Sequence, residues 1–348
     1  MANNEMERLP GALLPWYREN RRQLPWRQSR DPYRIWLSEI MLQQTRVEAV
    51  KGYYSRFLDA LPTVEALAHA EDDLLHKLWE GLGYYSRVRN LKKAACKIME
   101  HHEGRFPMDY EQVLALPGIG EYTAGAVCSI AFDQPRAAVD GNVLRVITRL
   151  TEDPTPIDSP ALKRRVRAGL EAVYPREAGE FTQALMELGA TLCGPNWKPR
   201  CGECPCQSFC AGHLHSTAEQ FPVKKPKVKR REEQLTVFIL HSEGRYALQM
   251  RPPKGLLAGL YQFPNCPGHL EPEQTLSYLE TRGLRPKELT LQLQRQHIFT
   301  HIRWDMRGYF IEVDAPDGDY LWLTPEEIET KAALPTAFRQ FWEENNHV

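Results

Sequence analysis

The chain has 348 residues, more than one ordinary core holds and enough for two or three domains. Lys and Arg number 44 against 45 Asp and Glu, a net charge of −1, which excludes an acidic disordered tail protein and a bulk-basic, histone-like DNA binder. No apolar run approaches the ~18 residues of a membrane span, and the first eight residues hold no apolar secretion core. A cytoplasmic, bacterial location with no membrane partner is therefore expected.

Residues 1 to about 220 read as helical, with apolar residues at three- and four-residue spacing in Val64–Leu78, Arg89–Glu100, Tyr110–Ala115 and Pro160–Val173. Near the start, Pro32 opens an apolar helix that carries Glu39 four residues after Ile35 and three before Leu42, on their face. A charged carboxylate there costs several kcal/mol unless it is paired or protonated. Glu39 is either an edge residue bridged to Arg34 or Arg46, or a carboxyl whose pKa burial raises, able to donate a proton near neutral pH.

Val113–Val127 reads as helix, tight hairpin, helix. Gly118 and Gly120 are free to take positive φ, and the backbone N–H groups of the helix start that follows can converge on a phosphate. Twenty residues on, Asp140 is expected to cap the helix beginning at Gly141. Beside that N-terminus it would stay ionised and face a developing positive charge. Two carboxyls in opposite environments suit cleavage of a glycosidic bond.

Of eight cysteines, Cys193, Cys201, Cys204 and Cys210 fall within 18 residues. Thiolates suit zinc as well as iron, but the tight loop with a long first gap fits a [4Fe–4S] cluster better than two separated Cys-x2-Cys arms. Cys206 reads as a spectator, and Cys96 and Cys128 as core residues.

Composition then shifts. Lys224–Arg231 carries six basic residues in eight, either a solvated linker or one that also follows a phosphate backbone. Beyond it, period-two segments Leu235–His241 and Tyr246–Met250 predict a hairpin turning at Ser242–Arg245. Ile298–Trp304, Gly308–Val313 and Tyr320–Leu323 predict further strands, and Glu273–Arg282 and Pro325–Lys331 predict helices. The expected division is a helical region 1–221 (hairpin 113–127, cysteine loop 193–210), a basic linker 222–233 and an α+β domain 234–348.

Together, Trp36–Thr45, Trp79–Arg87, Leu116–Gly120, Val139–Asn142 and the cysteine loop resemble the MutY family of adenine DNA glycosylases, within the helix-hairpin-helix glycosylase superfamily. The resemblance spans nearly the whole chain. It implies an all-α helix-hairpin-helix glycosylase region with an iron–sulfur loop, followed by a Nudix-like α+β domain. The implied activity removes adenine mispaired with 8-oxoguanine or guanine from duplex DNA, starting base excision repair, with the target nucleotide flipped out of the stack. A monomer with a [4Fe–4S] cofactor, at the nucleoid when on DNA, is expected.

In the same resemblance Glu39 matches the acid that protonates adenine N7 and then serves as base toward water. Asp140 matches the carboxylate facing the oxocarbenium-like sugar, and Tyr122 and Asn142 match residues assisting the pair. Gln44, Thr45, Leu82 and Tyr84 match groups that wedge into the duplex or touch the opposite base. Phe299-Thr300-His301 matches the loop that senses 8-oxoguanine, where the family usually has Phe-Ser-His. Arg251–Pro264 matches a characteristic stretch of the Nudix-like domain, while the paired glutamates of catalytic Nudix enzymes are missing from Asn265–Arg285. The first cysteine gap is seven residues where the common pattern has six.

Related glycosylase-lyases carry a Schiff-base lysine where this chain has Tyr122, so a monofunctional hydrolase is expected. Two rivals stand beside it: a glycosylase-lyase for oxidised pyrimidines, disfavoured by Glu39 and Tyr122, and a non-catalytic redox-sensing DNA binder, for which a buried carboxyl at Glu39 would serve no purpose. Near-zero net charge requires local basic patches, for which Lys163–Arg167 and Lys224–Arg231 are candidates.

Overall fold

The computed structural model describes residues 2–195, 197–225, 229–316 and 319–345. Among these, no helix is long and apolar enough to cross a membrane. Pro226–Val228 of the basic run lie outside the described residues. The chain divides into two compact units, one of Met1–His69 and Asn90–Pro226, the other of Ala70–Arg89 and Lys227–Val348. Chain order alone would put 70–89 with the helices; they pack instead with the C-terminal residues.

The first unit is helical. Helix Glu121–Phe132 packs on both Pro32–Leu42 and Ala178–Thr191, and the last also packs on Leu9–Asn20 and Gly141–Thr151. Leu13, Tyr17, Val143, Ile147, Phe181 and Leu188 close a common core between them. The middle helix reaches its neighbours closely because its residues are small: Ala124, Gly125 and Ala126 are all buried. A Cβ on Gly125 would stand 2.5 Å from the Ala137 carbonyl oxygen. That contact fixes the extended run leading into Asp140.

The expected helix over 64–78 is two helices, Val64–His69 and Asp72–Leu78, broken at Ala70–Glu71. Gly118 has the anticipated positive φ of 75°, but Gly120 does not: at φ −102°, ψ 176° it is the extended N-cap residue of helix Glu121–Phe132. Positive φ is needed once in this turn, where the chain reverses against Asn90, and a Cβ on Gly118 would lie 2.5 Å from the Asn90 Cβ.

The second unit is built on a seven-stranded sheet of β1 (Arg231–Ser242), β2 (Arg245–Met250), β3 (Tyr261–Gln262), β4 (Asn265–Pro267), β5 (Pro286–Ile298), β6 (Ile302–Val313) and β7 (Leu321–Leu323). The order is β3-β2-β1-β6-β5, with β4 beside β1 and β7 beside β2. The β1–β6 pair is parallel and the rest are antiparallel. The β1–β2 hairpin turns at Glu243-Gly244, both at positive φ, as a two-residue turn requires. Both sheet faces are covered, which is why β1 reads as a continuous apolar run. Val237 and Ile239 meet Phe338, Phe341 and Trp342 of helix Thr336–Asn345, while Phe238 and Leu240 meet Leu279 of helix Pro272–Glu280.

One predicted strand is corrected. Ile298–Trp304 is not one strand: Ile298 ends β5, Phe299-Thr300-His301 reverse the chain, and Ile302–Trp304 open β6, which runs on through Gly308–Val313. Strand β5 escaped notice because polar residues occupy alternate positions of Thr290–His297 and its other side chains are only half buried.

Gly125→Ala should cost about 1–3 kcal/mol through overpacking against backbone that cannot yield. Urea unfolding of the variant against the parent measures it.

Candidate active site

Helix Pro32–Leu42 starts with Pro32 in its first turn and the Asp31 side chain accepting from the Tyr33 N–H at 2.9 Å. It buries every residue from Ile35 to Met41, Glu39 included at 5 % exposure. Among the described residues no arginine bridges Glu39; its Oε2 accepts a 2.6 Å hydrogen bond from the Tyr122 hydroxyl. Burial pushes its pKa up to about 7, helped by the charge of Asp140 and opposed by the Tyr122 hydrogen bond and by Arg27. Burial also raises the Tyr122 pKa well above its ordinary value, with the Glu39 and Asp140 carboxylates adding to the shift, so Tyr122 stays a phenol donor.

Asp140 caps helix Gly141–Thr151 as expected. Its Oδ1 accepts from the Val143 N–H and its Oδ2 from the Asn142 side-chain amide, each at 2.7 Å. Its environment is less opposite to that of Glu39 than anticipated: burial raises its pKa too, though hydrogen bonds from Val143 and Asn142 work against the rise. Helix Glu121–Phe132 brings Tyr122 to Glu39, so the helix start that follows the hairpin lies next to the buried acid.

Gln44 and Thr45 follow directly. Gln44 is exposed at φ 59°, an unusual conformation for a residue with a Cβ, and Thr45 is half buried with its N–H on the Leu42 carbonyl at 3.3 Å. Gln43 reaches Thr123 at 3.3 Å.

Three residues not singled out from sequence form a buried cluster, of which Arg27 is felt electrostatically by Glu39. Glu187 is fully buried, with Oε1 taking the Arg22 N–H at 3.0 Å and Nε at 2.7 Å, and Oε2 taking Arg22 at 2.9 Å and Arg27 at 2.7 Å. Burial alone would raise its pKa, but these guanidinium bonds overcome it and hold Glu187 at about 2. The pairing spans more than 150 residues, so no local spacing discloses it.

The cysteine loop lies behind Asp140. Arg145, buried on the same helix, donates to Asn142 at 2.9 Å, Gly189 at 2.8 Å and the Cys193 carbonyl at 2.9 Å. One turn on, Arg149 donates to the Cys193 carbonyl at 3.1 Å and its sulfur at 3.3 Å. Among the described residues no group of three or more His, Cys, Asp or Glu side chains could hold a single metal ion. Cys193, Cys201, Cys204 and Cys210 nevertheless line one cavity, with Arg149 in its wall. Four thiols around one hollow, with a cation to offset thiolate charge, fit a thiolate-bound cluster. Cys206 does not line that cavity; it is buried in the helical core, within hydrogen-bonding reach of the Cys204 thiol.

In the second unit, Tyr84 and the β5–β6 hairpin meet. The Tyr84 hydroxyl lies 3.1 Å from Thr300 Oγ1, and both, with Arg89, Leu257, Phe299 and His301, line a cavity of about 430 Å³. Phe299 is seated against Trp304 and His297, with ring centroids 4.9 and 4.5 Å away. Tyr84 is half exposed, whereas Leu82 is buried at 6 % exposure, so the surface contact expected of Leu82 is not presented here. The basic patch at Lys163–Arg167 is also reduced: Arg167 and Lys163 pair with Glu121, and Arg165 pairs with Asp153.

A buried acid hydrogen-bonded to a tyrosine at a hairpin–helix start, with a capping carboxylate nearby, defines a helix-hairpin-helix base-excision DNA glycosylase. Residues 37–168 match the HhH-GPD superfamily of base excision DNA repair proteins, and residues 236–344 match the NUDIX domain. The chain is 32 % identical to the adenine DNA glycosylase of Homo sapiens, over 97 % of this chain and 73 % of that protein. It is 35 % identical to that of Rattus norvegicus (94 % and 76 %) and 32 % identical to that of Buchnera aphidicola subsp. Baizongia pistaciae (84 % and 82 %). A thermostable thymine-DNA glycosylase superposes with TM-score 0.56 at 29 % identity, over 62 % of this chain and all of that one. A non-covalent endonuclease III–DNA complex shares the fold at TM-score 0.53 and 22 % identity, over 62 % and 98 %. The chain belongs to the adenine DNA glycosylase family.

Glu39, protonated more readily in the fold than in the unfolded chain, contributes stability fully present below pH 4.5 and lost as pH rises through about 7. At about 1.4 kcal/mol per pKa unit, the loss is on the order of 3 kcal/mol. Glu39→Gln should therefore be more stable than the parent at pH 8, with the advantage vanishing toward pH 4, as read by urea unfolding across that range.

Proposed function

We propose that this adenine DNA glycosylase acts as a monofunctional hydrolase on adenine opposite 8-oxoguanine or guanine in duplex DNA, using Glu39 and Asp140. The observation that carries the reading is the Tyr122–Glu39 hydrogen bond at a carboxyl whose pKa burial brings up to about 7. A carboxyl so poised is protonated in a useful fraction at neutral pH and yet gives its proton up readily. Glu39 donates that proton to N7 of the everted adenine as the N9–C1′ bond breaks, and the bond's electron pair leaves with the base. The sugar is left as an oxocarbenium-like cation. Asp140, held by Val143 and Asn142, faces that cation, and the Glu39 carboxylate then takes a proton from the water that adds to C1′.

Tyr122 stands where a Schiff-base lysine would be needed for strand cleavage, and a phenol has no amine to form one. Gly118, Gly120 and the helix start at Glu121 receive a backbone phosphate. Gln44 and Thr45 follow the acid's helix into the duplex, and Leu82 and Tyr84 touch it from the turn of Gly81–Tyr84. Tyr84, Phe299, Thr300 and His301 sense the opposite base, a reading supported by their common cavity and by the Tyr84–Thr300 contact. The threonine keeps the hydroxyl of the family's usual serine. Cys193, Cys201, Cys204 and Cys210 would hold a [4Fe–4S] cluster, which when bound cross-links the loop through four Fe–S bonds. Arg145 and Arg149 then anchor that loop to the helix that Asp140 caps.

Single-turnover assays on A:8-oxoguanine, A:G and C:8-oxoguanine duplexes should release adenine from the first two and nothing from the third. Glu39→Gln should bind the A:8-oxoguanine duplex yet lose at least about a thousandfold in rate, a proton donor combined with a later base being worth that much. Retention of the parent rate would remove Glu39 from the chemistry. Borohydride trapping should give little covalent adduct, and a strong adduct would mark a lyase. Iron and sulfide should each be found at about four per chain, as the cluster requires, and zinc in their place would overturn the cofactor assignment.

A further inference from the structure

Tyr84 is a bulky residue at φ 48°, at the end of a turn in which Gly81 and Gly83 are also at positive φ, 93° and 69°. A left-handed tyrosine persists only where its surroundings over-determine it. Two sets of bonds do so. Within the segment, Trp79 Nε1 donates to the Gly83 carbonyl at 3.1 Å, and Arg87 donates to the Leu82 and Gly83 carbonyls at 3.0 and 3.1 Å. The second set comes from residues more than 250 positions away. Glu80, the last residue before the turn, is mostly buried. Its Oε1 takes the Leu334 N–H at 3.0 Å and Arg339 Nε and Nη2 at 3.1 and 2.7 Å, while Lys77 pairs with Oε2 at 2.8 Å.

Arg339 is itself fixed. It lies on helix Thr336–Asn345, whose Phe338, Phe341 and Trp342 are fully buried, and its other amino group, Nη1, reaches Glu329, which accepts from Trp342 Nε1 at 2.6 Å. Three donors converging on one carboxylate oxygen define its position far better than one would. That oxygen is set by the far end of the chain, and the tyrosine that touches Thr300 is four residues downstream of it.

We infer that Arg339 is a positioning residue for opposite-base discrimination: through Glu80 it holds the Gly81–Tyr84 turn so that the Tyr84 phenol stands against Thr300. The inference rests on the reading of Tyr84 and Thr300 as the opposite-base sensor. Arg339 touches no reacting atom, and its effect falls on which duplex is processed, not on proton transfer at adenine.

The test uses the full chain in four variants: Arg339→Gln, Arg339→Lys, Glu80→Gln and the Glu80→Gln/Arg339→Gln pair. Adenine excision is measured in single turnover opposite 8-oxoguanine and opposite guanine, with melting temperatures alongside. Arg339→Gln and Glu80→Gln should each lower the ratio of the two rates by about tenfold, equivalent to about 1.4 kcal/mol. The pair should lower it no further than the worse single change, as two partners of one contact do. Arg339→Lys, which keeps the charge, should recover most of the ratio. An unmoved ratio, additive losses, or both rates falling in parallel with the melting temperature would overturn the inference. Should Arg339→Gln fail to fold, Glu80→Gln reads the same contact from the short segment. A parent enzyme with no preference for 8-oxoguanine would sink the sensor reading and this inference with it; a preference that survives in every variant sinks the inference alone.

Discussion

One dehydrated carboxyl governs the arrangement of the helical unit. Glu39 sits on a helix whose every turn is committed to the core, and among the described residues its hydrogen-bond donor is a phenol that cannot neutralise it. An ionised carboxylate in such a place would cost several kcal/mol, so the fold raises the group's proton affinity instead. The Tyr122 hydrogen bond moderates the rise and keeps the proton exchangeable. Arg27, the arginine that Glu39 feels, is bonded together with Arg22 to Glu187. A second carboxylate thus takes up that arginine and leaves the acid its phenol partner.

The remaining polar groups are arranged in series behind that acid. Asp140 gains hydrogen bonds from a helix N-terminus and from Asn142; Asn142 is held by Arg145; Arg145 and Arg149 grip the backbone of Cys193. A helix of eleven residues therefore carries a capping carboxylate at one end and the arginines that meet the cysteine loop along its length. The small residues of Glu121–Phe132 make the close approach possible, since any larger side chain at Gly125 would displace the Ala137 backbone on the way into Asp140. Packing and chemistry are the same constraint here.

Much of this was legible in the residues. Glu39 stood out because a carboxylate broke an apolar face, Asp140 because Asp before Gly-Asn opened an apolar helix, and the cysteines because four thiols shared a short loop. The β1–β2 hairpin followed from two β-rich segments on either side of Glu-Gly. What stayed hidden depended on distant pairs. Nothing local marks Glu187 as the partner of Arg22 and Arg27, or Glu80 as the partner of Arg339. Gly120 does not use the positive φ open to it, because its role is to begin a helix, for which extended backbone serves. Ile298–Trp304 looked like a strand because apolar residues flank Phe299-Thr300-His301 on both sides, yet those three make the reversal. Leu82 shows the limit of reading an exposed role from a motif, since its neighbours bury it while Tyr84 reaches the surface.

The central claim is that burial, tempered by one phenol, sets the proton affinity of Glu39. Carbon-13 NMR titration of the carboxyl in glutamate-labelled protein, with Glu39→Gln to assign the resonance, measures it directly. A midpoint near 7 is expected, moving higher in Tyr122→Phe, where the hydrogen bond that favours the carboxylate is gone. A midpoint near 4.5, or one that Tyr122→Phe leaves in place, would contradict it.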